Sequence, residues 1–220
     1  MKNIVINGIN GKMGKAVYAA AAERKDFNVV CGVDKRAIGN FDCPVYPTLA
    51  QVCEHTDALI DFSSPSALNS VLDFATENAC ALVLATTGYS AAQLAQIEKA
   101  AQVIPVKLTA NTSLGIYALK KILPVLKQTL DGYDVSIAEA HGKNKKDRPS
   151  GTALDLARTL GNCAEINSVR GGDLPGVHTV TFLGGEESVT ITHTVFSRKV
   201  FAEGALDICA SLIGKPHGLY

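Results

Sequence analysis

Residues 1–34 leave few folds open. "KNIVIN" (2–7) is a short apolar run with β-branched residues, the pattern of a buried strand. "GINGKMG" (8–14) follows, then the alanine-rich helical stretch "KAVYAAAAER" (15–24), then "FNVVCGVD" (27–34), a second strand. Strand, glycine turn, helix and strand make the opening of a parallel sheet, since parallel neighbours require a long crossover. The alternation continues with strands at 57–63, 81–88 and 104–111 and helices at 65–78 and 90–102. Strands this continuously apolar belong to a sheet covered on both faces.

The pattern changes after Asn111. A long helix is predicted over 114–130, bent at Pro124. Segments 133–141, 177–184 and 187–196 alternate apolar and polar residues, as half-exposed strands do. An apolar helix at 199–214 can return to the first sheet. The predicted fold is α/β: a Rossmann-type doubly wound parallel sheet with an inserted α+β domain. Residues 1–111 with 198–220 form the dinucleotide-binding domain, and 112–197 the insert. The 220 residues suffice for this.

Lys plus Arg and Asp plus Glu both number 21, so the net charge is zero and nothing global favours nucleic acid or an acidic membrane. No apolar run approaches the ~20 residues that span a bilayer, and the chain starts directly in a strand without a signal peptide. The six cysteines include no Cys-x-x-Cys pair and read as reduced thiols of a cytoplasmic protein. No His, Cys and carboxylate group has metal-ligand spacing.

In "GINGKMG" the first glycine spacing is one residue longer than in the G-x-G-x-x-G fingerprint, and the second is unchanged. The physical requirement is the same: a tight turn, N–H groups facing a pyrophosphate, and close packing of helix on strand. Asp34 ends the next strand, 20 residues past Gly14, where a ribose-binding carboxylate belongs. The cofactor is therefore expected at Gly8, Asn10, Gly11, Lys12, Met13, Gly14, Asp34 and Lys35. Thr86, Thr87 and Gly88, and Asn111 and Thr112, end two further strands and join this set, though either segment alone reads equally well as an ordinary turn. A carboxylate at 34 suits the 2′-OH of NADH; Lys35 and Arg36 either offset its repulsion of the 2′-phosphate of NADPH or belong to a solvated turn.

The oddest stretch is "AHGKNKKDRPSGTAL" (140–154). His141 closes a strand, and Lys143, Lys145, Lys146 and Arg148 follow with only Asp147 against them. Ser150 or Thr152 can cap the next helix, and Asp155 resembles the second half of a capping box. One reading is a solvated basic loop before a capped helix. The other is a receptor for carboxylate or phosphate, built from ammonium groups, hydroxyls and free N–H groups. A histidine beside it can give or take a proton near neutral pH. His178 and His193 read as structural residues of the alternating strands, and His55 and His217 as surface residues.

Taken together, "GINGKMG", "DFSSPSA", "ATTGYS", "NTSLGIY", "EAHGKNKKDRPSGTAL" and "THTVFSRKVFAEGA" resemble the dihydrodipicolinate reductase (4-hydroxy-tetrahydrodipicolinate reductase) family. They occur in that family's order and span Gly8 to Ala205. The resemblance implies NADH- or NADPH-dependent reduction of a cyclic imine dicarboxylate, the dihydrodipicolinate precursor, in lysine and diaminopimelate biosynthesis. It implies His141 as proton donor and Lys145 as its cationic catalytic partner at the substrate. It places Ser150, Gly151 and Thr152 around a substrate carboxylate and Arg198 nearby. It also implies a homotetramer assembled through the second domain's sheet.

This chain departs from the family where a second histidine often follows the first, since His141 is followed by Gly142. Asn111-Thr112-Ser113 lacks the family's aromatic, and the segment before "LPGVHTV" is short. Two other classes compete: a non-catalytic NAD(P) sensor, which needs the glycine turn but not the basic run, and a dehydrogenase of another small imino or keto dicarboxylate. If Lys35 meets the 2′-phosphate, Lys35→Ala weakens NADPH more than NADH. The two specificity constants, within about tenfold of each other in the parent, measure this; equal losses would place Lys35 elsewhere.

Overall fold

In the computed structural model, which describes residues 1–36 and 39–220, the run KNIVIN is strand β1 (Lys2–Asn7). The chain continues through α1 (Lys12–Ala22), β2 (Phe27–Val33), β3 (Val45–Tyr46), β4 (Ala58–Asp61) and α2 (Leu68–Glu77). Then come β5 (Ala81–Leu84), α3 (Ala91–Ala100), β6 (Pro105–Leu108), α4 (Leu114–Thr129), β7 (Asp134–His141) and α5 (Gly151–Thr159). Last are β8 (Glu165–Arg170), β9 (Val177–Leu183), β10 (Ser188–Thr194), α6 (Lys199–Leu212) and β11 (Gly218–Leu219). Two units result: Met1–Thr112 with Phe201–Tyr220, and Ser113–Val200.

The first unit is a seven-stranded sheet in the order β11-β6-β5-β4-β1-β2-β3, with every neighbouring pair parallel. The strand order reverses between β4 and β1, and the loops leaving the carboxyl ends of those two strands are where such sheets hold ligands. Each face is covered. Ile4, Ile6, Ile60 and Val83 pack with Val17 of α1 and with Ala202, Ala205, Leu206 and Cys209 of α6. Val5, Leu59, Leu82 and Leu84 pack with Val71, Leu72 and Ala75 of α2 and Ile97 of α3. Ile4, Ile6, Leu59 and Leu82 are 0% exposed; each such side chain contributes about 1.5–3 kcal/mol of apolar transfer.

The second unit is a four-stranded sheet in the order β10-β9-β7-β8. β7 and β8 run parallel around the α5 crossover, while β9 and β10 are antiparallel. Helices α4 and α5 cover one face with Ile116, Leu119, Leu123, Leu156 and Leu160 against Ile137, Val180 and Phe182. The opposite face carries threonines whose hydroxyls pair across β9 and β10, Thr179 with Thr192 and Thr181 with Thr190.

Several expectations need correction. Helix α4 runs through Pro124, as expected, so the corrections lie elsewhere. Strands β3 and β11 have two residues each, too short to show a period, and β8 was missed altogether. The cap of α5 is Ser150, whose Oγ accepts from Ala153 N; Thr152 lies within the helix and Asp155 closes no capping box. Asp155 instead pairs with Lys120 of α4 at 2.7 Å.

The glycine turn is a close-packed object. Gly8 has φ +82°, and a Cβ there would lie 2.7 Å from the Phe62 carbonyl oxygen. A Cβ on Gly14 would lie 2.1 Å from the Gly8 carbonyl oxygen. Both obstacles are backbone and cannot rotate away. Gly14→Ala is expected to cost at least the 1–3 kcal/mol typical of overpacking, read as a lowered denaturant midpoint. An unchanged midpoint would mean that α1 can back away from β1.

Candidate active site

The candidate cofactor residues gather at the carboxyl ends of the parallel strands in the first unit. Gly11 caps α1 without a side-chain hydrogen bond, and the first turn of α1 holds no acid. An uncapped helix start on a glycine turn fits a pyrophosphate. Lys12 is exposed and Met13 half-buried beside it. Asn10 donates from Nδ2 to the Arg36 carbonyl at 2.6 Å, tying the turn to the loop after β2. Asp34 Oδ1 accepts from Arg36 N at 3.1 Å, and Lys35 is exposed. The residues therefore fit a dinucleotide.

Two of the expected cofactor residues have their hydroxyls engaged elsewhere. Thr86 donates to Asp61 Oδ2 at 2.8 Å, and Thr112 to the Phe201 carbonyl at 2.6 Å, both from buried positions. Asp61 also accepts from Asn7 Nδ2 and Ser63 Oγ, so the ends of β1, β4 and β5 are joined at one carboxylate. Burial pushes that carboxyl up, against the pull of these three donors. Thr87 is exposed and Gly88 has φ +88°. Asn111 N donates to Thr109 Oγ1 within a tight turn.

In the second unit, strand period fixes the site. Ile137, Glu139 and His141 alternate onto one face of β7, the face under the helices. Register then places Glu139 opposite His178 of β9 and Ser168 of β8, with His193 of β10 beyond His178. The next row inward is Ile137, Val180, Ile166 and Ile191. A hydrophobic row thus gives way to a polar one, and His141, opposite Arg170, follows it.

Glu139 is the hub. Its side chain is 0% exposed, and Arg170 binds it in a fork, Nη1 to Oε2 at 2.8 Å and Nη2 to Oε1 at 2.7 Å. Ser150 N donates to Oε1 at 3.2 Å, and His141 Nδ1 lies 2.5 Å from Oε2. Burial alone would push this carboxyl up; Arg170, Ser168 and His141 outweigh it and hold it at about 2. Burial pushes the His141 imidazolium down, against the upward pull of Glu139, and Lys145 and Arg170 add to the lowering. His178 packs edge-on to His141, centroids 5.0 Å apart, with its Nε2 3.1 Å from Ser150 Oγ. Burial, then the charge of His141, bring His178 down to about 3, so it is neutral.

The start of α5 differs from the expected cradle of free N–H groups. Ser150 N is taken by Glu139, Ala153 N by the cap, and Gly151 N points at Asp147 Oδ2 at 3.4 Å. Lys145 Nζ pairs with Asp147 Oδ1 at 2.9 Å. Thr152 is buried in the first turn, whereas Lys146 is exposed. Arg198 is exposed and forms no hydrogen bond or ion pair with the described residues. Gly142 packs under the turn at 172–174, where a Cβ would meet the Leu174 and Gly172 carbonyl oxygens at 3.3 and 3.4 Å.

The sequence reading missed Glu139 and Arg170, while His178, read as structural, is buried and hydrogen-bonded to the cap of α5. The period of two in "SIAEAH" was a usable signal, since it puts Glu139 and His141 on one face. Arg170 could not be placed without recognising β8. No group of three or more His, Cys, Asp or Glu among the described residues could hold a metal, and no described helix is long and apolar enough to cross a membrane.

Comparison with known proteins identifies the family. The family models for the N-terminus and C-terminus of dihydrodipicolinate reductase match residues 2–112 and 115–220. The 4-hydroxy-tetrahydrodipicolinate reductase of Caldanaerobacter subterraneus subsp. tengcongensis is 39% identical over 242 aligned positions, covering 100% of this chain and 96% of that one. The protein of the same name from Clostridium tetani is 38% identical, covering 100% and 95%. Among solved structures, dipicolinate-bound dihydrodipicolinate reductase from Paenisporosarcina sp. TG-14 superposes with a TM-score of 0.83 at 21% identity, covering 100% of this chain and 97% of that one. With the Rossmann-type sheet, the glycine turn and the His141 cluster in place, the chain belongs to the dihydrodipicolinate reductase family.

Proposed function

We propose that this protein reduces 4-hydroxy-tetrahydrodipicolinate to tetrahydrodipicolinate in lysine and diaminopimelate biosynthesis. The observation that carries this is the buried, anchored His141 beside Lys145 and the start of α5, in a chain that matches the family over both halves. The first unit is assigned the dinucleotide and the second the substrate. The nicotinamide, as NADH or NADPH, supplies the hydride when bound. Asp34 with Lys35 and Arg36 supports the use of both forms.

The remaining chemistry falls to side chains of the second unit. Hydride addition leaves electron density on a conjugated C=C–C=N system, which a proton from His141 relieves. Lys145, Ser150, Gly151, Thr152 and Arg198 are assigned to the dicarboxylate. Asp147 now lies against Lys145 Nζ and Gly151 N. A substrate carboxylate takes its place there. That exchange is cheap because the Lys145–Asp147 pair is solvated, with side chains 31% and 45% exposed.

The alternating pattern of β9 and β10 and the family resemblance support assembly of a homotetramer through residues 177–196. The six free thiols suit a reducing compartment, the cytoplasm.

His141→Gln is expected to lower turnover by roughly 10²–10⁴, the worth of a general acid, with NADH binding intact. Lys145→Ala should lower turnover and weaken pyridine-2,6-dicarboxylate titrated in the presence of NADH, whereas Lys146→Ala should change little. Equal affinity of both lysine variants and the parent would sink the assignment of the basic run to substrate.

A further inference from the structure

We propose that Glu139 is the positioning residue of the proton donor: it holds the His141 ring with Nδ1–H inward and Nε2 as the working nitrogen, and Arg170 limits the pull of its charge. The proposal rests on the reading of His141 as proton donor and deepens it.

The geometry runs as a chain of exclusions. Glu139 and His141 are two apart on one strand face, so the carboxylate reaches Nδ1 without leaving its pocket. Fully buried and gripped by the Arg170 fork, that carboxylate is ionised and can only accept. Nδ1 must therefore carry a hydrogen, and Nε2 is left to gain and lose the exchangeable proton. Nε2 makes no hydrogen bond to the described residues, and glycine at 176 keeps a side chain off it. A Cβ on Gly176 would stand 2.9 Å from it. His178, the nearest ring, has its own Nε2 turned to Ser150 Oγ.

Arg170 does more than neutralise. Its Nη2 also donates to the Asp147 carbonyl at 2.7 Å, and Nη1 to its own strand at the Val169 carbonyl. One guanidinium therefore fixes the carboxylate behind the imidazole and the backbone of the loop that carries Lys145. The charged and titratable groups facing His141 are Glu139 on its own strand, Arg170 on β8, His178 on β9 and Lys145, itself paired with Asp147, on the loop. Glu139 favours the imidazolium, and Arg170 and Lys145 oppose it. Removing Glu139 or Arg170 must therefore move the His141 titration in opposite directions, which no loss of packing would do.

The test uses the full-length protein with ¹⁵N-labelled histidine, following ring nitrogen shifts against pH beside the pH profile of turnover. In the parent, neutral His141 should be the Nδ1–H tautomer. Glu139→Gln should lose that preference, move the His141 titration down by about a unit, and lower kcat roughly 10–10³-fold with little change in KM. Arg170→Gln should move the titration up. Should Glu139→Gln not fold, the Arg170→Gln titration decides alone: a shift upward supports the proposal, and no shift or a downward one overturns it. An Nε2–H tautomer in the parent also overturns it. These ring measurements do not depend on turnover. An active His141→Gln protein would instead remove the proton-donor reading and leave the ring geometry to be judged by its own spectra.

Discussion

One buried carboxylate organises the second unit. An ionised Glu139 with no solvent contact is unfavourable unless its oxygens are supplied with donors. Those donors come from three places in the chain: Arg170 of β8, Ser150 at the head of α5 and His141 two residues on. Because β7, α5 and β8 form one crossover, a single charge fixes where the helix starts, how the last strand is aligned and which way the imidazole faces. The residues assigned to proton transfer and to carboxylate binding are thus placed by the same atom group.

The first unit depends on a different constraint, the absence of side chains. Its sheet could be read from the sequence because parallel strands are continuously apolar and because the glycine turn sits between strand and helix. The backbone clashes that a Cβ would make at Gly8 and Gly14 explain the glycine positions in steric terms. Asp61 was not legible. It lies in a run, "DALIDFS", that reads as purely buried strand, and only the meeting of β1, β4 and β5 reveals that Asn7, Ser63 and Thr86 converge on it.

Legibility in the second unit followed hydrophobic contrast. Segments 177–184 and 187–196 alternate clearly and are strands β9 and β10. "EINSVR" has only Ile166 and Val169 as apolar residues, on opposite faces, so its alternation of exposure has no hydrophobic signature. Losing that strand meant losing Arg170, and with it the reason for Glu139. The helix start at "DRPSGTAL" was legible as a cap, but which hydroxyl caps it was not. Ser150 and Thr152 are chemically alike, and the choice depends on His178 and Glu139, distant in sequence. Asp155 was misjudged for the same reason, since Lys120 competes for it.

The Gly8 carbonyl oxygen leaves the glycine turn little freedom to move. It accepts from Gly11 N at 2.9 Å and lies against the Cα of Gly14, while Gly8 itself rests on the Phe62 carbonyl. A turn wedged on both sides has little conformational freedom left to lose. A pyrophosphate docked there, as proposed, would order almost nothing that was disordered, so the loss of chain entropy that weakens binding to mobile loops would be small. On the proposed placement of the cofactor, its arrival at this turn needs no loop-folding step.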